Sequence, residues 1–260
     1  MKITKRLCYF IFLAFVSMLF SCKSATKKIE DSLYSRHLQR NMPITIISTS
    51  VPDNKSDYNL LLFNQTSMLD VVNAQKIIDS LFKKKQIQPL IVVAFEGKSG
   101  PINNEYGLSN MDNNDAKKYK KLHDFIINEL YPFVKKKAGV RKFNTVGILG
   151  FKNAAVAAFD VCFNNDEKIN KVGMFYPDFT IEAANDSITL ANIGASRKRP
   201  TINIWVTDVA TSFTTKQFCE MMQEKKSIQN LTYYPTTEVF TNNKNRLHQF
   251  AAFLLWAFPQ

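Results

Sequence analysis

Short apolar segments alternate with amphipathic ones over residues 40–260, and few kinds of fold accommodate that order. Residues 90–95 read Leu-Ile-Val-Val-Ala-Phe, an unbroken apolar run that is typical of a strand buried on both faces. Between 115 and 136, apolar residues recur every three or four positions while lysines occupy the other face, which indicates an amphipathic helix. Strands that alternate with helices predict an α/β fold with a mostly parallel central sheet and helices on both faces.

Periodicity along the chain also predicts the order of the elements. The turn-forming residues 52–57 predict that the two strands flanking them are neighbours. Residues 177–200 show no clear period and are long for a plain connection, so we expect a lid over the strand ends. Strands are predicted at 44–48, 59–63, 90–95, 145–149, 171–175, 201–206 and 231–234, and helices at 68–83, 115–136, 154–163, 214–223 and 246–258.

The amino terminus has the composition of an export signal. Three basic residues precede an apolar stretch, Leu7–Phe20, that is too short to span a bilayer as a helix. The segment 19–22 reads Leu-Phe-Ser-Cys and resembles a bacterial lipobox, in which the signal is cut before the cysteine and Cys22 is acylated. Two alternatives stay open, namely an uncleaved apolar anchor helix and an ordinary secretory signal that is cut nearby.

These features divide the chain into three parts. Residues 1–21 are predicted to be a lipoprotein signal peptide, 22–39 the lipidated Cys22 with a polar tether, and 40–260 a single domain. We therefore expect a lipid-anchored protein of the bacterial cell envelope, at the outer membrane on its periplasmic or surface side. The membrane is then a partner through the N-terminal lipid.

The chain is basic, with a formal net charge of +12 at pH 7. Most lysines stand in short helical runs typical of solvated faces and helix C-termini, although such surfaces also attract anionic lipid head groups. We expect no nucleic acid partner, because no nucleic-acid-binding module is recognisable. Cys162 and Cys219 are predicted to be buried free thiols. We predict no metal site and no cofactor, because no Cys/His spacing suits zinc.

Residues 145–155 carry the clearest functional signal. They read Thr-Val-Gly-Ile-Leu-Gly-Phe-Lys-Asn-Ala-Ala, an apolar strand that turns sharply into a helix rich in small residues. A G-x-S-x-G nucleophile elbow operates in this strand-turn-helix context and holds its serine at the tip of the turn. The residue at the tip here is Lys152, so the sequence predicts the backbone of an elbow without its nucleophile.

Several short strings stand in a recognisable order over residues 43–258. They are Ile87–Val93, then Glu105–Gly107, then Tyr119 with Phe125, Glu129, Leu130 and Pro132, and then the elbow region that ends at Val172–Pro177. In order and approximate spacing they resemble the esterase branch of the α/β-hydrolases, which contains esterase D and enterochelin-esterase-like enzymes. The resemblance implies an α/β-hydrolase fold with an elbow serine, an acidic residue after a later strand and a histidine near the C-terminus. It also implies an oxyanion hole of backbone N–H groups.

The nucleophile and acid positions implied by this resemblance are both altered. The elbow serine is replaced by Lys152, and the two glycines that follow it in the family are Ala154 and Ala155. A Cβ at Ala154 is expected to narrow a turn that glycine leaves open. The family's acidic position falls near 212–213, and the nearby carboxylate, Asp208, lies early in that segment.

The histidine and oxyanion-loop positions are altered as well. No histidine stands near 240–243, and the helical phase of the last segment turns His248 away from its apolar face. The loop that shapes the oxyanion hole in the family reads Asn-Gln-Thr at 64–66. Because loss of one member of such a unit already costs several orders of magnitude in rate, these changes predict a catalytically degenerate member.

Three roles are open for Lys152. In the neutral form it could act as a Schiff-base nucleophile, since the adjacent helix N-terminus supplies positive potential that lowers the pKa of an amine. In the charged form it could build an anion site with the helix N-terminus, next to Phe151, Asn153 and Gln65. It could also extend into solvent from an abandoned elbow.

The sequence therefore predicts an exported, lipid-anchored, esterase-like protein that acts in binding or as an envelope accessory protein. Its expected partners are a small anionic or acyl ligand and a protein of the envelope. The alternative is an active carboxylic-ester hydrolase with a displaced nucleophile, for which Ser99, Ser109 and Ser212 are the candidates by location. A purely structural envelope lipoprotein is the third hypothesis.

Overall fold

The computed structural model describes residues 24–49, 58–99, 104–109, 116–180, 186–225, 228, 230–236 and 243–260. In this part of the chain, eight strands form one sheet, and two apolar cores cover its opposite faces. The strands are β1 Thr26–Ser35, β2 Arg40–Thr49, β3 Asn59–Asn64, β4 Leu90–Phe95, β5 Val146–Phe151, β6 Lys171–Phe175, β7 Asn203–Val209 and β8 Asn230–Thr236. The helices are α1 Met68–Val71, α2 Ala74–Lys83, α3 Ala116–Asp124, α4 Tyr131–Ala138, α5 Asn153–Asn164, α6 Asp186–Ala195, α7 Phe213–Glu224 and α8 Asn243–Ala257.

The sheet is parallel except at one edge. Its strand order is β1-β2-β4-β3-β5-β6-β7-β8, and β1 and β2 are the antiparallel additions. Every residue of β3, β4 and β5 is buried, which explains why these strands read as apolar runs rather than as alternating ones. The predicted α/β class with a mostly parallel central sheet and helices on both faces is confirmed.

The prediction that the first two sequence-predicted strands are neighbours is wrong. They correspond to β2 and β3, and β4 lies between them, antiparallel to β2 and parallel to β3. Turn-forming residues mark a change of direction but do not specify a hairpin, and a parallel pair needs a crossover connection. The helical connection from β3 to β4 supplies that crossover.

The predicted tether over 22–39 is corrected by the structure. Strand β1 occupies Thr26–Ser35 and pairs with β2 over its whole length, from Thr26 opposite Thr49 to Ser35 opposite Arg40. Most of its residues are charged or polar because an edge strand buries little of its surface, so its composition imitates a linker. The Oγ of Ser24 also bonds the Asp79 carboxylate at 3.0 Å. The folded domain therefore includes residues from 24 onward rather than from 40.

Two predicted helices contain interruptions. The helix predicted at 68–83 is divided into α1 and α2 by Asn73, whose φ of 47° lies in the left-handed region. The helix predicted at 115–136 continues from α3 through a π-helical segment, Phe125–Leu130, into α4. The wider π turn buries three consecutive apolar residues, 125–127, which a narrow helical stripe does not accommodate. Apolar periodicity predicted that both helices exist, but it did not predict the break at Asn73 or the π-helical segment.

The segment predicted to form a lid contains helix α6. Leu190 and Ile193 of this helix are buried in the same core as α5 and α7, so this part belongs to the body of the domain. Residues 181–185 lie outside the described residues. Cys162 and Cys219 are buried free thiols, as predicted. Of the helices that the structure describes, none has the length and apolarity needed to cross a bilayer.

The parallel strands β3 to β8 all end at the same side of the sheet, which we call the carboxyl edge. Asn64 ends β3, and the next strand in space, β5, ends with Phe151 immediately before Lys152. β6 and β7 end with Phe175 and Val209 at the same edge. Side chains that follow these strands are the candidates for a functional site, as is general for open α/β sheets.

Candidate functional site

The turn between β5 and α5 has the geometry of a sharp elbow with Lys152 at its tip. Lys152 has φ 52° and ψ −126°, a conformation that an L-residue adopts only at a cost of about 1–3 kcal/mol. Its N–H donates to the carbonyl of Phe175 at 3.0 Å, and its own carbonyl accepts from Ala155 N–H at 2.9 Å. The lysine side chain is exposed. The predicted strand-turn-helix order is therefore confirmed, and Lys152 is the strained residue at the tip of the turn.

Close backbone packing holds this turn in place. A Cβ at Gly150 would lie 2.1 Å from the carbonyl oxygen of Ala154, so only glycine fits there. Ala154 and Ala155, in the first turn of α5, are fully buried. Both belong to the core on the α5 face of the sheet. Packing thus holds the elbow in place.

Phe151 is not a ligand-facing residue, contrary to its place in the predicted site. Its side chain is 2% exposed and belongs to the core on the face opposite α5. The ring lies 4.8 Å from that of Phe175 and 6.0 Å from that of Phe63, measured between centroids. Alternation along β5 sends it into this core while the chain turns at the next residue. Phe151 therefore stabilises the elbow from the core on the face of the sheet opposite α5.

Buried polar atoms gather at the end of β3 beside the elbow. Asn64 pairs in register with Gly150 and is fully buried, yet both polar atoms of its amide group have no recorded hydrogen-bond partner. Leu60 and Leu62 belong to the core that contains α5, so strand alternation places the Asn64 side chain on the α5 face. A buried amide without partners costs free energy, and such groups are normally satisfied by water or by a ligand.

Gln65 and Thr66 continue this polar cluster into the loop. Gln65 has φ 126°, and its N–H donates to the carbonyl of Phe95 at 2.8 Å. The side-chain oxygens Oε1 of Gln65 and Oγ1 of Thr66 are buried and have no recorded partner. Gln65, a predicted site residue, lies directly after β3, the strand next to β5, and its role in a site stays a prediction. Asn64 was not predicted, because a polar residue at the end of a strand reads as an exposed loop.

The carboxylate nearest to the family's acidic position has a structural role. Asp208 is 7% exposed, and its Oδ2 accepts a hydrogen bond from the Thr215 hydroxyl at 2.5 Å. Its Oδ1 accepts from the N–H of Val209 at 2.7 Å. Ser212 caps α7 by accepting from Thr215 N–H at 3.4 Å. The hydrogen bonds of Asp208 thus connect α7 to the end of β7. Phe213, the first residue of α7, is 78% exposed.

The three histidines of the chain are all among the described residues, and the recorded contacts of two of them involve no serine. Nε2 of His248 lies 3.3 Å from the hydroxyl of Tyr234, and the His248 side chain is exposed, as predicted. His123 lies next to the Asp124 carboxylate and the Asn165 amide. His37 stands in the turn between β1 and β2. Residues 237–242, which include most of the expected histidine segment, lie outside the described residues.

The alternative serines do not occupy an elbow. Ser99 lies in irregular chain after β4, and Ser212 is the cap of α7. Ser109 donates its N–H to Oδ2 of Asp160 at 3.1 Å. Each of these positions differs from the strained strand-to-helix turn that exposes a nucleophilic hydroxyl. Among the described residues, the recorded contacts of these serines include one carboxylate, that of Asp160 beside Ser109, and no histidine.

A second polar network lies at the end of β6 and was missed in the sequence. The Tyr176 hydroxyl lies 2.8 Å from Nε2 of Gln249, a fully buried residue of α8. Tyr176 has φ 50°, and its N–H donates to the Thr207 carbonyl at 2.7 Å. Burial raises the pKa of the Tyr176 hydroxyl, and the bond to Gln249 opposes this shift. The network ties α8 to the carboxyl edge, and no local pattern links residues so far apart in the chain.

No protein-family model and no curated protein matches this sequence. Solved structures do match the backbone. A ferulic acid esterase superposes with a TM-score of 0.69 at 15% identity, over 90% of this chain and 98% of its own. A siderophore hydrolase of Aspergillus nidulans gives a TM-score of 0.68 at 12% identity, over 92% of this chain and 97% of its own.

The enterobactin esterase of Shigella flexneri gives a TM-score of 0.71 at 13% identity, over 89% of this chain. This chain spans 59% of that longer protein. At sequence identities this low, structural similarity shows a shared fold and does not show a shared site chemistry. The mixed sheet, the strained elbow after β5 and these neighbours agree on one architecture. The chain has the α/β-hydrolase fold that these esterases share.

Proposed function

We propose that this protein is an exported, lipid-anchored envelope protein whose elbow binds an anionic group instead of hydrolysing an ester. The observation that carries the proposal is the position of Lys152 at the tip of the turn, directly before the amino terminus of α5. The fully buried amide of Asn64, without recorded partners, lies on the α5 face of the neighbouring strand.

The chemistry of this arrangement suits a carboxylate or a phosphate. The first N–H groups of a helix have no intrahelical partner, and the helix dipole adds positive potential at the same place. An ammonium group on the residue before the helix adds a full charge and three donors. The buried amide of Asn64 can donate to one oxygen of such a ligand and accept from a hydroxyl beside it. A carboxylate or a phosphate meets the first requirement, and a hydroxyl group beside it on the same ligand meets the second.

Hydrolysis is less well supported than binding. A serine mechanism needs a hydroxyl, a base within hydrogen-bond reach and donors around the developing oxyanion. The elbow presents an ammonium group, and the recorded contacts of His123 and His248 are with groups other than serine. A fluorophosphonate probe tests the active-ester-hydrolase alternative directly. Labelling of any serine in the native protein would overturn the binding proposal in its present form.

We expect Lys152→Ala to weaken the binding of inorganic phosphate or octanoate by about 1.5–3 kcal/mol, the range for a hydrogen bond to a charged group. Isothermal titration calorimetry on the purified protein measures this loss. Lys216→Ala is the matched control, because it removes the same charge from an exposed position of α7. Equal affinities of wild type and Lys152→Ala, or no binding of either probe, would contradict the site.

The strand register supports the anchoring proposal. Thr49 bonds the backbone of Leu90, the first residue of β4, and Thr26 pairs with Thr49. The described chain therefore begins near the amino ends of the parallel strands. Lys152 lies past their carboxyl ends, roughly 20 Å away for a six-residue strand. An anchor at Cys22 would leave the elbow open to ligands on the side away from the membrane.

We expect Cys22→Ser to abolish the incorporation of radiolabelled palmitate into the protein in living cells, since the cysteine thiol is the predicted acceptor of the acyl chain. Autoradiography of the immunoprecipitated protein measures it. Cys162→Ser serves as the control, because its thiol is buried in the core of the domain. Label that persists in Cys22→Ser would exclude this residue as the lipid attachment site.

A further inference from the structure

The buried polar atoms at the end of β3 need hydrogen-bond donors as well as acceptors. Among the described residues, the side-chain atoms there that have no partner are Oδ1 and Nδ2 of Asn64, Oε1 of Gln65 and Oγ1 of Thr66. The two amide oxygens can only accept a hydrogen bond. Asn64 is 0% exposed, and both polar atoms of its amide lack a partner, so its need for a donor does not depend on which atom is the oxygen.

The backbone donors of this loop are engaged elsewhere. The N–H of Gln65 donates to the carbonyl of Phe95 at 2.8 Å, and the N–H of Ser67 donates to the Glu96 carboxylate at 3.2 Å. The Ser67 hydroxyl bonds the same carboxylate at 3.0 Å. These donors therefore serve the end of β4 and the residue after it. The amide oxygens at the end of β3 are left for donors that a ligand or water supplies.

The acceptors at the end of β3 lie beside the donors of the elbow. Asn64 pairs in register with Gly150, and adjacent strands are about 5 Å apart. Lys152 follows two residues after Gly150, and its ammonium group and the first N–H groups of α5 are donors. Strand alternation places the Asn64 side chain on the α5 face. An anion bound at the elbow therefore brings its neighbouring atoms close to these acceptors.

We propose that the elbow site is specific for a small organic anion that carries hydroxyl groups next to its charged group, of the hydroxy acid class. This inference rests on the proposed function, in which Lys152 and α5 bind the charge. A carboxylate alone offers only acceptors and leaves the amide oxygens of Asn64 and Gln65 unpaired. Hydroxyl groups beside the carboxylate donate to these oxygens. Such a site rejects an analogue without hydroxyl groups, because its buried polar atoms then stay unpaired.

A ligand reaches these acceptors through the loop after β3. Asn64 has no exposed surface, whereas Gln65 and Thr66 are partly exposed. We expect the side chains of Gln65 and Thr66 to rotate when the ligand enters, since rotamer changes of this kind are common where proteins bind partners. The hydroxyl groups of the ligand then take the place of these side chains next to Asn64.

The test compares glycerate with propionate by isothermal titration calorimetry on the full chain. Both acids have the same carbon chain and one carboxylate, and only glycerate has hydroxyl groups. We expect glycerate to bind about tenfold more tightly or better, as one or two additional hydrogen bonds provide. Equal affinities would overturn the specificity. Absence of glycerate binding in a protein that binds inorganic phosphate would overturn it as well.

Substitutions in β3 and its loop test which groups bind the hydroxyls. Asn64→Leu removes the buried amide at similar size, so the ratio of the two affinities should fall toward one. Thr66→Val removes the neighbouring hydroxyl and should lower the ratio in the same direction. Asn59→Leu is the matched control at the other end of β3, where Nδ2 already donates to Oε1 of Gln88 at 3.0 Å, and its ratio should equal that of the wild type. A wild-type ratio in both Asn64→Leu and Thr66→Val would overturn the inference.

Lys152→Ala separates this inference from the proposed function. It should weaken the binding of both acids by a similar factor and leave their ratio unchanged, since the ammonium group contacts the carboxylate that both share. Equal affinities for the two acids, both weakened by Lys152→Ala, would reject the hydroxyl specificity and keep the anion site. Affinities that Lys152→Ala leaves unchanged would reject the anion site itself, and this inference with it.

Discussion

We expect Gly150→Ala to destabilise the fold by about 4 kcal/mol or more, which is the range of exceptional single substitutions. The new Cβ would lie 2.1 Å from the carbonyl oxygen of Ala154 and 2.7 Å from the nitrogen of Ala155. Both are backbone atoms in the first turn of α5, so no side chain can rotate away. The helix must shift from β5, and the buried packing of Ala154 and Ala155 is lost. For a domain of this size the melting temperature should fall by roughly 10 °C, measured by circular dichroism.

Gly139→Ala is the matched control for this experiment. Gly139 follows α4 with φ +67°, and a Cβ added there meets nothing within 4 Å. Its cost is confined to the conformational preference of the backbone, about 1 kcal/mol. The contrast between the variants isolates the close contact at the elbow. Similar losses in both would show that the approach of α5 to β5 is looser than 2.1 Å implies.

The persistence of the elbow has a physical explanation that does not involve catalysis. Lys152 carries the strain of a left-handed backbone although it offers no nucleophilic hydroxyl. The ladder bond from Lys152 N–H to Phe175 and the contact of Gly150 with Ala154 fix the turn from two sides. These contacts involve backbone and core atoms, so they hold the turn independently of the side chain at its tip.

Much of the fold could be predicted from residue patterns. The strand predicted at 171–175 is β6 without a change of boundary, and the elbow helix predicted at 154–163 begins one residue early as α5. These elements are buried, so their apolar pattern follows their structure directly. Strand β1 could not be recognised, because an edge strand keeps polar residues on its exposed surface. The break at Asn73 could not be predicted, because the apolar spacing continues across it.

The positions of two candidate site residues could be predicted. The place of Lys152 at the turn after β5 followed from local order around a strand end, and that of Gln65 followed from the family resemblance. Their role in binding stays a prediction. Phe151 was placed in the site by adjacency, but the alternation of β5 directs its ring into the opposite core. The bond between Tyr176 and Gln249 joins residues that are 73 positions apart. Contacts of that kind are set by the packing of α8 on the sheet, and no local motif encodes them.

We expect the pH dependence of stability to change when Asp160 is replaced by Asn. Asp160 lies on the buried face of α5, and burial raises the pKa of its carboxyl group. Bonds from Ser109 and Asn164 and the charge of His123 oppose the shift without cancelling it. The folded state thus keeps a proton that the unfolded chain releases above the ordinary value of 3.8. The stability that this group contributes is present below 3.8 and falls as pH rises through the raised pKa.

Asp160→Asn cannot ionise, so the variant should lose this decline, which begins as pH rises above the ordinary value of 3.8. Urea unfolding at a series of pH values gives the free energy of unfolding for each protein. Asp124→Asn is a control of opposite sign. Bonds from Lys120 and His123 outweigh burial and lower the pKa of Asp124, so its contribution is lost as pH falls below 3.8. Parallel pH profiles for wild type and Asp160→Asn would mean that Asp160 is already solvated or paired in the folded protein. A decline that disappears in Asp160→Asn and persists in Asp124→Asn would assign it to the buried carboxyl of α5.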